Sequence, residues 1–428
     1  MGIINKKNST HKIIEIAILT TSLYVVSNNL PPIVGSFRYF WAPLALVAIF
    51  LEKRSIFGKK PMVSLILYGA ISLGVVQYTL WSNMSAWDRK FLLEEFFSLI
   101  FFFTILLYYY VRRDFKGLAR IGYMAFWFIS VTIIMTHIAL FFDPMVVRQS
   151  IGNNFTPYQA KIAKITGAGG YGYMQALVCL IPILVYHIKL KKKMVFAMKG
   201  LIIILCLILI LMLRAQVLAN LLVAVAITIL SFTGTKYPRR SFFLVALTLV
   251  VFWVIPSSFY ADQLVFVNSY LDSSSTIHYK LKDLSFFLRH QEFDASSGAG
   301  HRAERYPMLY KAFIAAPILG DSSYNSPFDR FVAAGGHLYW MNKLAIWGVL
   351  GFLFYLYVLF QIYKCVSSLF DDNFGFYYLL SVGAFVSLGL IKTIAGREPF
   401  LMLIVIIPGL YFLPLLKHTR TKNKKISN

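Results

Sequence analysis

Apolar residues run along the chain in long blocks separated by short polar loops. The blocks lie near 13–29, 38–51, 62–82, 91–111, 121–142, 173–190, 197–213, 215–233, 241–260, 337–363, 375–394 and 400–416. A helix needs roughly 20 mostly apolar residues to cross a hydrocarbon core about 30 Å thick, so the pattern predicts an all-α polytopic membrane protein with about 12 transmembrane helices. The blocks at 38–51 and 400–416 are the short ones. The one long polar interval holds two patterned stretches, "YKLKDLSFFLRH" (279–290) and "YPMLYKAFIAAP" (306–317). Both alternate apolar and basic residues at helical spacing, which predicts short helices lying on a membrane surface or over a cavity. No internal repeat is visible.

Composition agrees with the pattern. Of 428 residues, 58% are hydrophobic and 14% charged, with a mean hydropathy of +0.66; soluble domains carry about 25% charged residues. The formal charge of +24 would point to nucleic acid in a soluble protein. Here it has another cause, because Lys and Arg in short cytoplasmic loops fix membrane orientation. No nucleic-acid partner is expected. With the N-terminus inside, the inside loops are "LEKRSIFGKK", "VRRDFKGLAR", "KLKKKMVFAMKG", "TGTKYPRR", "YKCVSSLFDDNF" and the tail "KHTRTKNKKISN", and five of these six are plainly basic. Both termini are therefore expected to be cytoplasmic. The predicted division is residues 1–260 with nine spans and a smaller outer loop at 143–172, a large outer loop at 261–336, and residues 337–428 with three spans and the basic tail. Segment 261–336 carries seven Lys/Arg and eight Asp/Glu, so it is nearly neutral. The basic start "MGIINKKNSTHK" reads as the lead of an uncleaved first span. Cys179, Cys206 and Cys365 lie in or beside apolar blocks, and no disulfide framework is expected.

Several chemistries have no motif here: the phosphate-binding P-loop, the zinc-protease helix, Cys/His metal spacing and the serine-hydrolase elbow. No metal or cofactor is predicted. Asp371 and Asp372 are adjacent acids at the inside face, read as a solvated loop in preference to a metal pair. The outer loops, where basic residues are disfavoured, nevertheless hold Arg148, Lys161, Lys164, Arg214, Arg302, Arg305, Arg330 and Arg397. Arg214 sits between two apolar blocks. Such a residue either snorkels at a tight turn or meets an anion. Guanidinium groups bind phosphate bidentately and keep their charge in low dielectric, so a group of outer arginines fits a lipid-linked diphosphate. The run "GAGGYGY" (167–173) reads as a turn or as a close backbone approach to a ligand. Glu15, Glu94, Glu95 and Lys392 are the few other charges in apolar surroundings. Lys343 lies two turns into a block and either snorkels outward or lines a cavity.

Residues 302–351 resemble the signature region of the O-antigen polymerase and O-antigen ligase superfamily. The resemblance rests on Arg302, Tyr306, Pro317 and Gly320, followed by a loop, then His337 opening a helix that holds Gly348 and Gly351. Arg214 at a mid-chain outer junction and the glycines of 167–173 extend the likeness to about 148–351. Three positions depart from the pattern. Leu338 stands where Asn or Ser is usual, Leu213 stands where Ser is usual, and Pro307 falls in the helix expected after Arg302 unless that helix begins there.

The resemblance implies a bacterial inner-membrane glycosyltransferase of GT-C-like fold with its active site on the periplasmic face. It implies inverting, metal-independent transfer from a glycan on undecaprenyl diphosphate, with a second lipid-linked unit as acceptor. A chain-length regulator protein is a further partner the family admits. Under this reading His337 is the general base, since its pKa lies near neutrality, with His301 as the competing base. Arg302 and Arg214 stabilise the leaving diphosphate, with Arg148, Arg305 and Arg330 as further diphosphate ligands. Lys161, Lys164 and Tyr306 meet the lipid head group or the glycan, and segment 276–317 forms a lid. Gly348 and Gly351 are expected to form a small-residue face against a neighbouring helix. Two alternatives stay open: a ligase that transfers the glycan to lipid A-core or protein, and a non-enzymatic flippase or exporter of lipid-linked oligosaccharide.

Overall fold

A computed structural model describes residues 2–26, 38–81, 86–149, 156–191, 194–234, 257–270, 276–290, 305–320, 338–392, 394 and 397–416. Among these every regular element is helical. In chain order the longer helices are α1 (Gly2–Val26), α2 (Arg38–Glu52), α3 (Lys60–Trp81), α4 (Ala86–Val111), α5 (Phe115–Phe142), α6 (Pro157–Thr166), α7 (Tyr171–Lys189), α8 (Met198–Arg214) and α9 (Leu218–Thr233). They continue with α10 (Ser257–Asn268), α11 (Thr276–His290), α12 (Arg305–Ala315), α13 (Tyr339–Ser367), α14 (Asp372–Ile391) and α15 (Glu398–Tyr411). A helix occupies each apolar block predicted from the sequence except 241–260, most of which lies outside the described residues; α10 straddles its end. Four described helices, α5, α7, α13 and α14, are long and apolar enough to cross a membrane. The chain therefore has the make-up of a helical membrane protein.

Helix boundaries follow local chemistry. Asp114 caps α5 by accepting a hydrogen bond from Gly117 N at 2.9 Å. Thr156 and Gln159 form a reciprocal capping box at the start of α6, and Gly167 ends that helix in the left-handed region. Asp371 accepts from Phe374 N at 2.8 Å, so this acid is the N-cap of α14 and its pairing with Asp372 reflects capping. Inside α15, Met402–Ile406 form a π-helical turn between Pro399 and Pro408.

α7 is the centre of the bundle. Its whole apolar window is buried, against α8, α9, α14 and the start of α15. α4 packs on α2 and α3, α13 on α3 and α14, and α5 lies along α15. The last contact is very close: a β-carbon on Gly122 would stand 2.6 Å from the Gly409 carbonyl carbon, so glycine on both sides lets the two backbones meet.

Polar contacts sort into two poles. At one, Arg112 reaches Glu15 at 3.4 Å and Glu52 at 3.9 Å, His11 lies 3.6 Å from Glu52, and Lys189 donates to the carbonyl of Gly234 at 2.6 Å. At the other, Glu95, His137, Tyr171, Arg214, Tyr339 and Lys392 come together in pairs across different helices. The first set falls at block ends predicted to be inside and the second at ends predicted to be outside. Antiparallel helices with the predicted alternation produce this sorting.

Candidate functional site

The outer pole contains the least expected chemistry, a buried charged cluster on α3, α4 and α13. The Lys343 ammonium pairs with the Glu95 carboxylate, and both residues are more than nine-tenths buried. Tyr339 OH donates to Glu95 Oε1 at 2.7 Å. Because that proton is committed to the carboxylate, Tyr355 OH must be the donor in its 2.6 Å contact with Tyr339 OH. The chain of donors therefore runs from Tyr355 through Tyr339 to Glu95, with Lys343 on the other carboxylate oxygen. The ammonium also lies 4.9 Å from the centroid of the Tyr355 ring and 5.7 Å from that of Tyr339, where the ring faces favour a cation. Tyr68 closes the floor, 5.3 Å from Tyr355 between ring centroids. An unpaired charge at this depth is costly, and here every charge has a counter-charge or a charge-assisted hydrogen bond. Lys343 thus neither snorkels nor faces an open cavity.

This cluster locks the first turns of α13 against α4. A second device locks the same helix from the other side. Gly348 breaks α13 with φ 61° and ψ −173°, a conformation open essentially only to glycine. The break frees backbone donors, and Val349 N and Leu350 N bond to Pro317 O at 2.8 Å and Ile318 O at 3.2 Å. Gly320, at φ 75°, completes the joint: a β-carbon there would collide with Ile346 O, and one on Gly348 would collide with Ile318 O. Gly348 therefore makes a backbone-to-backbone joint with the 317–320 turn, which corrects the expected small-residue face against a neighbouring helix. At Gly351 the nearest neighbour a β-carbon would meet is the Trp347 side chain of the same helix.

The joint carries α12, whose Leu309 packs with Leu338 and Ala345 at the start of α13. α12 begins at Arg305, so Pro307 falls within its first turn, where proline is tolerated. Tyr306 donates its hydroxyl to Leu390 O at 2.9 Å, tying α12 to the end of α14. Burial raises its phenol pKa above the usual range, so it is a neutral donor at any ordinary pH. The hydroxyl of Tyr306 is thus engaged with the bundle, while its ring stays exposed.

The other predicted residues fall into three groups. His337, Arg302 and Arg330, with the competing His301, lie outside the described residues. Arg148 and Arg305 sit on described helices, but their side chains lie outside the described set. Arg214, Lys161 and Lys164 are described. Arg214 ends α8 at a tight turn, half-buried, with Nη1 3.3 Å from His137 O and 3.4 Å from His137 Nδ1. His137 Nε2 lies 3.0 Å from Leu207 O and must donate there, which leaves Nδ1 as the acceptor facing Arg214. Lys161 and Lys164 are exposed on α6. The glycines after them serve packing: Gly169 N donates to Thr136 Oγ1 at 2.9 Å, and the ring of Tyr173 fills the space a side chain at Gly169 would need. Three buried polar groups add to the outer pole. Lys392 lies 5.4 Å over the Tyr171 ring, and among the described residues the Oδ1 of Asn342 and Oε2 of Glu398 have no hydrogen-bond partner.

Sequence reasoning flagged Glu95 and Lys343 separately and missed their pairing. The available signal was their depth: two opposite charges at the outer ends of two apolar blocks are cheapest when they meet. Tyr339, Tyr355 and His137 carried no signal beyond being polar atoms in apolar helices. No protein-family model matches the chain, and no curated protein matches it.

Proposed function

We propose that the chain is a polysaccharide polymerase. In this reading about 12 helices cross the bacterial inner membrane in a GT-C-like arrangement with both termini cytoplasmic. At the periplasmic face it joins oligosaccharide units carried on undecaprenyl diphosphate by inverting glycosyl transfer. The acceptor hydroxyl gives its proton to His337 as it attacks the anomeric carbon of the donor, and the bond to the lipid diphosphate breaks. Arg302 and Arg214 stabilise charge on the departing diphosphate, with Arg148, Arg305 and Arg330 as supporting cations and Lys161 and Lys164 drawing in the anionic head group. Arginines supply this stabilisation without a metal ion. Tyr306 holds the lid helix to the bundle.

The observation that carries the reading is the joint between the 317–320 turn and the Gly348 break. It makes one unit of α12, which starts three residues after Arg302, and α13, which starts two residues after His337. Of the positions that carry the family resemblance, Pro317, Gly320 and Gly348 lie at this joint, whose backbone contacts only glycine allows. The buried Glu95–Lys343 cluster holds the same unit against the bundle.

The test is complementation in cells lacking the native gene. His337→Ala and Arg302→Ala, each at normal protein level, are expected to abolish long polysaccharide, and full-length product from both would refute the assignment. In proteoliposomes, donor and acceptor supplied on the outer leaflet are expected to react without any transbilayer step. Transfer to lipid A-core in place of a lipid-linked unit would make the chain a ligase, and transport without reaction would make it an exporter.

A further inference from the structure

The pole opposite the candidate site holds a cavity of about 520 Å³ between the start of α3 and the ends of α4 and α13. Three lysines ring it: Lys59 and Lys60 at the start of α3 and Lys364 near the end of α13. Its inner wall is apolar, built by Met62, Phe103 and Leu107. No carboxylate lines it. The three lysines are exposed, and no ion pair is found for them among the described residues.

This arrangement differs from the other basic hollow on the same pole. That smaller cavity of about 300 Å³ contains Lys12 and Arg120 together with the Glu15 carboxylate, so its charge is offset from within. At the larger cavity three ammonium groups share one opening with no such partner, which leaves its charge to attract an anion from outside. A loop placed inside by the charge rule needs lysines but does not need a cavity.

We propose that this cavity binds an anionic phospholipid of the cytoplasmic leaflet. The phosphodiester sits among Lys59, Lys60 and Lys364, and an acyl chain runs down Met62, Phe103 and Leu107. Lysine suits this ligand because a phosphodiester in a head-group layer needs point charges more than a fixed fork. Basic hollows between membrane helices on the cytoplasmic side are suited to such lipids. The proposal stands on the membrane class of the protein and on the orientation set by loop charge, and is independent of the enzymatic reading. The ligand chemistry, a phosphate anion, has two sources, a lipid or free phosphate, and the apolar wall selects the lipid.

The test uses the purified full chain in a neutral detergent. Native mass spectrometry and thermal unfolding are followed while phosphatidylglycerol, phosphatidylcholine or inorganic phosphate is added. The expected result is a saturable adduct and a rise in Tm with phosphatidylglycerol, little change with phosphatidylcholine, and no comparable rise with inorganic phosphate. The triple variant Lys59→Gln, Lys60→Gln, Lys364→Gln is expected to bind about tenfold or more weakly, on the scale of a few head-group contacts. A control that removes as much charge elsewhere on this pole, Lys53→Gln, Lys116→Gln, Lys199→Gln, is expected to bind as wild type. Leu107→Trp, which narrows the apolar wall without touching charge, is expected to weaken binding with the lysines intact. Equal loss in the charge-matched control would overturn the proposal, because diffuse attraction would then be the cause. So would unchanged lipid binding in the triple variant, or inorganic phosphate raising Tm as much as the lipid. Should the triple variant fail to fold, the Leu107→Trp chain decides, and wild-type binding there overturns the proposal.

Discussion

Glu95 and Lys343 pair where water is scarce, and each is tolerable only because of the other. Removing one partner leaves a buried charge uncompensated, a loss of about 3–5 kcal/mol. Glu95→Gln and Lys343→Met are each expected to destabilise the protein by that order, read as loss of folded protein during a thermal ramp in detergent. The double variant is expected to recover most of the loss, because two neutral side chains of similar volume leave no unpaired charge buried. Tyr339→Phe removes the donor to Glu95 Oε1 and is expected to cost about 1.5–3 kcal/mol, the range for a hydrogen bond to a charged group. These residues also show the limit of reading sequence one position at a time. Lys343 was visible as an anomaly, but its role depends on Glu95, 248 positions earlier in the chain. For Arg214 local sequence left two readings, a tight turn or an anion ligand, and it ends α8 at a turn with Nη1 3.3 Å from His137 O.

At the scale of elements, local chemistry carried most of the information. Apolar blocks predicted helices at nearly every place where they occur, because in a chain of this composition length and hydropathy settle the matter without tertiary help. The stretches 279–290 and 306–317 became α11 and α12 for a different local reason, the helical spacing of their apolar residues. Gly348 was misread because a glycine inside an apolar block looks the same in sequence whether it packs a helix or breaks one. Only the positive φ and the hydrogen bonds to Pro317 and Ile318 distinguish the two. Gly348→Ala is accordingly expected to be far more harmful than Gly383→Ala in α14, where a β-carbon meets open space. The cost at Gly348 is about 1–3 kcal/mol from backbone strain alone, with the collision against Ile318 O added. The measurement is folded yield and Tm of both variants side by side. If α12 and α13 form the polymerase unit proposed above, Gly320→Ala will also lower product length at a protein level where Gly383→Ala does not.

At the scale of the whole molecule, the alternation of basic and neutral loops predicted two faces, and the polar contacts group the helix ends accordingly. The grouping follows from helix order alone, whereas which face is cytoplasmic rests on loop charge. With the three native cysteines replaced, Lys164→Cys is expected to react with a membrane-impermeant maleimide in intact spheroplasts, and Lys116→Cys only after permeabilisation. The reverse pattern would invert the molecule and move the proposed active site to the cytoplasm. The loop charges could not reveal which helix lies at the centre, because α7 is no more apolar than its neighbours. Its Gln175 and His187 mark it only in retrospect, as polar groups kept away from lipid.

The position of α7 bears on biogenesis. A ribosome delivers helices to the bilayer in chain order, yet four of the elements that enclose α7 follow it, two of them more than 180 residues later. For that interval Gln175, Tyr171 and His187 face lipid or a chaperone. Release of α7 into its final environment has to wait for α14 and α15. Chains truncated before residue 372 should then be degraded even when every helix they contain has been inserted.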